Sequence, residues 1–194
     1  MVKEPNQDYQ ILAKGELVLL RTHMKTDSGP YQRWQTQGEW LSLDAPWERN
    51  QEDKEQNQGG KKQKSPEEDS SAPQKMAVIT TLTNRPLGWV TRYSKCNTTI
   101  WHVGIDICED EFLNRGYGTE ALTLWVDYLF ENSNIHKIGL DTWSFNPRMI
   151  KVAEKIGFIY EARQREMQFW QGEWLDLMHY GMLRKEWEVR RYRQ

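Results

Sequence analysis

The sequence predicts an α+β fold, a mixed and mostly antiparallel central sheet flanked by helices on both faces. Three observations carry the prediction. Ile100 to Ile107 is dense in β-branched and aromatic residues, which suit a pleated strand. After the turn Asn114-Arg115-Gly116-Tyr117-Gly118-Thr119, Leu122, Trp125, Val126 and Leu129 follow at i, i+3, i+4, i+7. Next, a strand at Ile138 to Thr142 precedes a second helical repeat of Met149, Val152, Ala153 and Ile156. Finally, a strand from Phe158 and another at Trp174 to Leu183 are joined by a hairpin turn at Trp170-Gln171-Gly172-Glu173.

The remaining elements read in order. Leu17 to Arg21 is a short apolar run after Gly15, a first strand. Asp27 or Ser28 is placed to cap a helix starting at Pro30, because proline suits the first helical position. Tyr31, Trp34, Trp40, Leu41, Leu43 and Trp47 form an aromatic segment that reads equally well as the wall of a cleft or as packing. From Glu48 to Lys75 no aromatic and no aliphatic residue larger than Ala72 occurs. This stretch, residues 48–75, is therefore expected to be a disordered insertion within a single domain spanning 1–194. Met76 to Thr83 is a strand, Asn84-Arg85-Pro86 a turn and Gly88 to Tyr93 its hairpin partner. Ser94 to Asn97 turns the chain into the strand that ends at Ile107. Arg184, Lys185, Arg190, Arg191 and Arg193 form a basic end that reads as a solvated terminus.

With 194 residues the chain is long enough for one real core, and a net charge of −2 offers no global field for nucleic acid. No apolar run approaches a membrane span, and the polar start, with Lys3, Glu4, Asn6 and Asp8, has no signal-peptide core, so a cytoplasmic protein is expected. Cys96 and Cys108 have no metal-ligand spacing and read as free thiols; no metal site is expected.

The strand, Gly-rich turn and helix from Gly104 to Leu122 carry the chemistry. Two glycines at a helix start let backbone N–H groups converge on an anion, with Arg115 adding charge. Taken alone they also read as a tight turn, since the Lys-Ser/Thr of a Walker loop and the third glycine of a dinucleotide fingerprint are absent. Three further segments add weight: Asn146-Pro147-Arg148-Met149-Ile150, Glu154-Lys155-Ile156-Gly157-Phe158 and Trp170-Gln171-Gly172-Glu173-Trp174. Together with Arg115-Gly116-Tyr117-Gly118-Thr119-Glu120-Ala121, they make the chain from Met76 to Trp187 closely resemble the GNAT acyl-CoA N-acetyltransferases, in particular their RimJ/RimL-like branch.

The resemblance implies a GNAT-like sheet and an enzyme that moves acetyl from acetyl-CoA, a co-substrate, to a primary amine by direct attack in a ternary complex. The acceptor is a protein N-terminal α-amine or a small molecule. A polyamine or aminoglycoside acetyltransferase and a non-catalytic acyl-CoA-binding module are the alternatives, and a homodimer is left open. By the same resemblance the backbone of Leu113, Asn114, Arg115, Gly116, Tyr117, Gly118 and Thr119 holds the pyrophosphate. Main-chain groups of Ile105 and Ile107 pair with the pantetheine arm. Asn146 binds pantetheine or phosphate while also capping its helix, and Arg148 and Lys155 meet the nucleotide end. Trp34 and Trp89 are assigned to the acceptor side. Two departures stand out: Leu113 lies where the family has Gln or Arg, and Ala153 takes the place of a tyrosine that many members use as the acid.

The amine must lose a proton before it attacks. At pH 7 this costs on the order of 1 kcal/mol for an α-amine and 4–5 kcal/mol for a lysine-like amine. His102, on the strand leading into the turn and where many relatives carry Glu, is the first candidate base; it reads equally as a structural histidine. Asp176, flanked by Leu175 and Leu177, is the second, if burial raises its pKa, with a structural carboxylate as its other reading. Glu166 and Tyr117 are weaker candidates.

Overall fold

The structure, a computed structural model, describes residues 8–48, 73–95 and 99–192. Eight strands form one sheet in the order β1-β2-β3-β4-β5-β6-β8-β7. They are β1 (Ile11–Lys14), β2 (Val18–Arg21), β3 (Met76–Thr81), β4 (Pro86–Tyr93), β5 (Ile100–Ile107), β6 (Lys137–Trp143), β7 (Ile159–Trp170) and β8 (Glu173–Leu183). All neighbours are antiparallel except β5 and β6. The α-helices that lie wholly within the described residues are α1 (Ser28–Trp34), α2 (Tyr117–Glu131), α3 (Pro147–Lys155) and α4 (Arg184–Arg191).

Alternation along the strands divides the core. Val90, Val103, Ile138, Leu140, Tyr180 and Met182 point to one face. There they pack against Leu122, Trp125, Val126 and Leu129 of α2, Ala153 of α3 and Trp187 of α4. On the opposite face α1 and the chain after it build two smaller aromatic clusters, one around Trp34, Trp40 and Trp89, the other around Trp47, Trp143 and Leu175.

The feature that positions the site is the parallel pair. Register between β5 and β6 is kept only for Ile100↔Lys137, Trp101↔Ile138 and His102↔Gly139. Beyond these residues both strands run on, β5 to Ile107 and β6 to Trp143, without pairing to each other. The sheet splits into a wedge, and from Val103 onward one edge of β5 is left to the gap.

Several expectations are corrected. The β1 strand precedes the expected first strand; its apolar run, Ile11-Leu12-Ala13, is only three residues long, and Thr22 N–H donates to Gln10 O at 2.9 Å to hold its start. Asp27 does not cap α1 with its side chain; fully buried, it pairs with Arg21 and accepts from Met24 N–H at 2.7 Å. Most of the expected disordered stretch lies outside the described residues, but its ends are held. Glu48 N–H donates to Ala45 O, and the Pro73, Gln74 and Lys75 carbonyls accept from Arg92. Of the basic end, Arg184 to Arg191 form α4 rather than a solvated terminus, and Arg193 lies outside the described residues. Arg184 donates to the carbonyls of Phe130, Ser133 and Ile135, the exposed C-terminal acceptors of α2 and the loop after it.

Candidate active site

A cavity of about 640 Å³ fills the wedge. Its walls come from both splayed strands, from the turn before α2, from α3 and from the segment after α1. The turn is shaped by Asn114 and Gly116, both at positive φ (59° and 91°), a conformation that costs glycine nothing and asparagine little. It delivers the first turn of α2 to the cavity, where Gly118 and Thr119 form part of the wall. Glu120, in the same helical turn, faces away and accepts from Glu16, Leu17 and Val18 N–H at 2.7, 2.8 and 2.9 Å, which ties the turn to β2.

Of the residues assigned to the cofactor, Ile105, Ile107, Leu113, Asn114, Gly116, Gly118, Thr119, Asn146, Arg148 and Lys155 line the cavity. Arg115 is exposed and Tyr117 packs edge-on against Phe112, and neither lines it. Asn146 caps α3 by accepting from Met149 N–H at 3.0 Å. Arg148, Lys151 and Lys155, spaced for one side of α3, bring positive charge to the wall. Arg148 bonds Glu39 at 2.8 Å through one nitrogen, while its buried Nη1 has no hydrogen-bond partner. An unpartnered buried guanidinium nitrogen beside a glycine turn and a helix N-terminus suits a phosphorylated ligand. The free edge of β5 offers main-chain groups along the same path.

The acceptor-side assignments fall differently. Trp34 is 1% exposed, its indole N–H bonded to Glu109 at 2.7 Å, and Trp89 is stacked on Tyr31 with ring centroids 5.3 Å apart. Neither lines the cavity; from the aromatic segment Trp40, Leu43 and Asp44 do.

His102 and Asp176 are not brought together. Asp176 is buried between the Glu166 N–H, at 2.7 Å, and Arg163; the backbone bond and then the guanidinium outweigh its desolvation and hold its carboxyl below the usual range. The expected rise in its pKa is thus reversed, and Asp176 is no part of the cavity wall. Glu166 contributes that backbone bond from a bulge at φ 53°.

His102 sits one layer behind the wall. Its Nδ1 is 3.6 Å from Asp141, and Asp141 lines the cavity. Burial pushes the His102 imidazole below its ordinary 6.5, against the opposing pull of Asp141, so the ring is neutral at pH 7. Asp141 also binds His179 Nδ1 at 2.6 Å and Lys95, and these bonds hold its carboxyl low although burial acts to raise it. Tyr93 lines the cavity and stacks on His102; burial first, then Asp141, Asp44 and Glu48, push its hydroxyl up to about 12.

Asp141, His179, Lys95 and Tyr93 were not singled out from sequence. The available signal was a lone carboxylate in the apolar strand Ile138-Gly139-Leu140-Asp141-Thr142, which must find partners if buried.

Comparison with known proteins decides the family. The model of the acetyltransferase (GNAT) domain matches residues 18–159, well over half of the chain. The chain belongs to the GNAT acetyltransferase family. Among curated Bacillus subtilis proteins it is 31% identical over 78 residues to YdaF, named provisionally as a ribosomal N-acetyltransferase, and 28% identical over 80 residues to the prophage-derived N-acetyltransferase YokL. These matches span 40% and 41% of this chain and less than half of each relative, 43% and 45%. The fold is shared with a GNAT-family acetyltransferase of Bacillus anthracis, at a TM-score of 0.67 and 19% identity over 89% of this chain and 98% of that one. It is shared equally with the spermidine N-acetyltransferase of Vibrio cholerae solved with CoA and spermine, at a TM-score of 0.66, 19% identity and 88% and 98% coverage. As a GNAT protein, this chain has the mixed sheet and helices expected from its sequence. Among the described residues no helix is long and apolar enough to cross a membrane, and no group of His, Cys, Asp and Glu is arranged to hold a metal ion.

Proposed function

We propose that this GNAT protein is an acetyl-CoA-dependent N-acetyltransferase acting on a primary amine in the cytoplasm. The observation that carries the proposal is the wedge between β5 and β6, where a cationic, glycine-shaped end and a carboxylate-bearing end share one cavity. Acetyl-CoA supplies the activated thioester. Leu113, Asn114, Gly116, Gly118 and Thr119, with Arg148, Lys151 and Lys155, suit its phosphates, and the free edge of β5 at Ile105 and Ile107 suits its pantetheine arm. A ligand lying along that edge adds a strand to the sheet in the gap that β6 leaves. Asp44 and Asp141 at the other end favour a cationic acceptor, and Trp40 and Leu43 supply apolar contact.

Within that reading the acceptor is a protein N-terminal α-amine, as in the RimJ/RimL-like branch, or a small-molecule amine. The provisional name of YdaF, a ribosomal N-acetyltransferase, supports a ribosomal acceptor over a free small molecule. A polyamine is favoured by a separate observation: Asp44 and Asp141 both line the cavity together with Tyr93, so two carboxylates serve the acceptor end. The experiment is CoA thiol release from acetyl-CoA against N-terminal peptides, lysine peptides, polyamines and aminoglycosides. Turnover with one class is the expected outcome and names the acceptor. Acetyl-CoA binding without turnover on any amine supports the acyl-CoA-binding module instead, and absence of binding in calorimetry overturns the proposal.

A further inference from the structure

The cavity wall carries one carboxylate that is engaged from three sides. Asp141 lies on β6 directly opposite His179 of β8, whose Nδ1 is 2.6 Å from Oδ1. On the other side His102 of β5 is the register partner of Gly139, two residues before Asp141 and on the same face of the sheet. A side chain at residue 139 would meet the His102 ring: a Cβ there would lie 2.8 Å from Cε1 and 2.9 Å from Nδ1. The missing side chain lets the imidazole lie across β6, with Nδ1 3.6 Å from Asp141 Oδ2. Lys95, from the turn after β4, completes the set with its ammonium on Oδ2.

Two buried nitrogens in this group, His102 Nδ1 and His179 Nε2, have no hydrogen-bond partner. A buried polar atom without a partner costs stability, and beside a cavity an arriving proton or ligand atom offsets that cost. His179 Nδ1 is placed to donate to the carboxylate in the tautomer that carries its proton there. His102 Nδ1, 3.6 Å from the same carboxylate and beyond hydrogen-bond distance, is within reach of a proton that arrives at Asp141.

We propose that Asp141 receives the acceptor's ammonium and hands one of its protons to His102 Nδ1, while His179 holds the carboxylate in orientation. The inference rests on the acetyltransferase reading above. The incoming ammonium takes the place on Asp141 that the Lys95 ammonium now occupies. The proton moves from nitrogen across the Asp141 carboxylate to His102 in one concerted transfer, so that the carboxylate is ionised before and after and the amine is left neutral. The amine attacks the thioester carbonyl carbon, the new N–C bond forms and the C–S bond breaks. The second nitrogen-bound proton leaves with the CoA thiolate as thiol, and His102 returns its proton to solvent. Charged and titratable neighbours of the relay are Lys95 and Tyr93 from the β4 side, Lys137 on β6, and Glu161 on β7, which pairs with Lys137. Asp141 is catalytic in this scheme, His102 is the proton acceptor behind it, and His179 acts through Asp141 as a positioning residue.

The test is a pH profile of kcat and KM for wild type, Asp141→Asn, His102→Gln and His179→Gln, with the amine found active in the panel. Asp141→Asn should lower kcat/KM about 100-fold or more, and Asp141→Glu should restore part of it. His102→Gln should lower kcat more than KM and remove the acid limb of the profile, whereas His179→Gln should shift that limb. Acetyl-CoA binding by calorimetry should be unchanged in all. A wild-type pH profile in His102→Gln overturns the relay. Nitrogen-15 NMR of the resting wild type adds a readout that needs no variant: protonated Nδ1 on His179 and unprotonated Nδ1 on His102 at pH 7 support the relay, and a protonated His102 Nδ1 overturns it. Failure of the wild type to bind acetyl-CoA overturns both this inference and the reading beneath it.

Discussion

Gly139 shows how one residue sets the chemistry of a wall it does not line. Opposite it on β8 stands Gly181, and a Cβ there would lie 2.4 Å from the Glu161 carboxylate and 2.6 Å from the Lys137 side chain. These two paired glycines hollow one face of the sheet so that a histidine and an ion pair can lie flat across the strands. Gly139→Ala should therefore push the His102 ring off Asp141. We expect a stability loss of about 1–2 kcal/mol in urea unfolding, a fall in kcat approaching that of His102→Gln, and unchanged acetyl-CoA affinity. Wild-type kcat in the alanine variant would show that the His102–Asp141 approach has no part in turnover. A glycine inside a strand pattern is visible in sequence as an irregularity, but the ring that fills the space comes from a residue 37 positions away and is not.

The elements divide into those that build the wedge and those that brace it. β5, β6, α2 and α3 supply the cavity wall, while α4 locks the base of α2 from the far end of the chain. Trp187 of α4 is 7% exposed, stacks on Phe130 at 5.0 Å and donates its indole N–H to Asp127 at 2.7 Å. Arg190 bonds the same Asp127 and the Ile156 carbonyl at the end of α3. Trp187→Ala should cost about 3–5 kcal/mol by differential denaturation, with acetyl-CoA KM close to wild type in the folded fraction, because α4 touches no part of the cavity. A change under 1 kcal/mol would mean the helix is not a brace. The elements at Ile100–Ile107, Tyr117–Glu131 and Pro147–Lys155 were legible because strong periodicity and a proline-marked cap leave few alternatives. Asn146 is an instance: the Asn-Pro pair predicted the cap that the Met149 bond realises. For α4 the charges dominated the sequence pattern, and the anchoring indole and guanidinium act only through partners on α2 and α3.

At the scale of the whole molecule, burial of charge determines where the fold resists acid. Asp27, Asp141 and Asp176 have pKa values below the ordinary 3.8, through Arg21 and the Met24 N–H, through Lys95 and His179, and through the Glu166 N–H and Arg163 respectively, in each case against the opposing effect of burial. A carboxyl whose folded pKa is depressed adds stability that is fully present above its unfolded value. That stability is lost as pH falls through the folded one. His102 acts in the same direction at higher pH: burial disfavours its charged form, so the unfolded chain binds the proton first and stability declines as pH drops below about 6.5. Urea unfolding should thus show a shallow loss of stability from pH 7 to 5 that His102→Gln flattens, and a steeper one below pH 3.8 that it leaves in place. Equal slopes in wild type and variant between pH 7 and 5 would remove His102 from the account.

The α+β class, the glycine turn entering α2, the Asn146 cap and the resemblance to GNAT proteins were determined by the sequence alone. Each rests on neighbours within one turn or strand, where the periodicity of side chains and the special torsions of glycine, proline and asparagine act directly. The tertiary structure decided which residues meet. Strand splay after His102↔Gly139 created the cavity, register across β5, β6 and β8 brought His102 and His179 to Asp141, and burial turned Trp34 inward while Trp40 reached the wall. Those outcomes depend on contacts between residues tens of positions apart, whose distances no local pattern encodes.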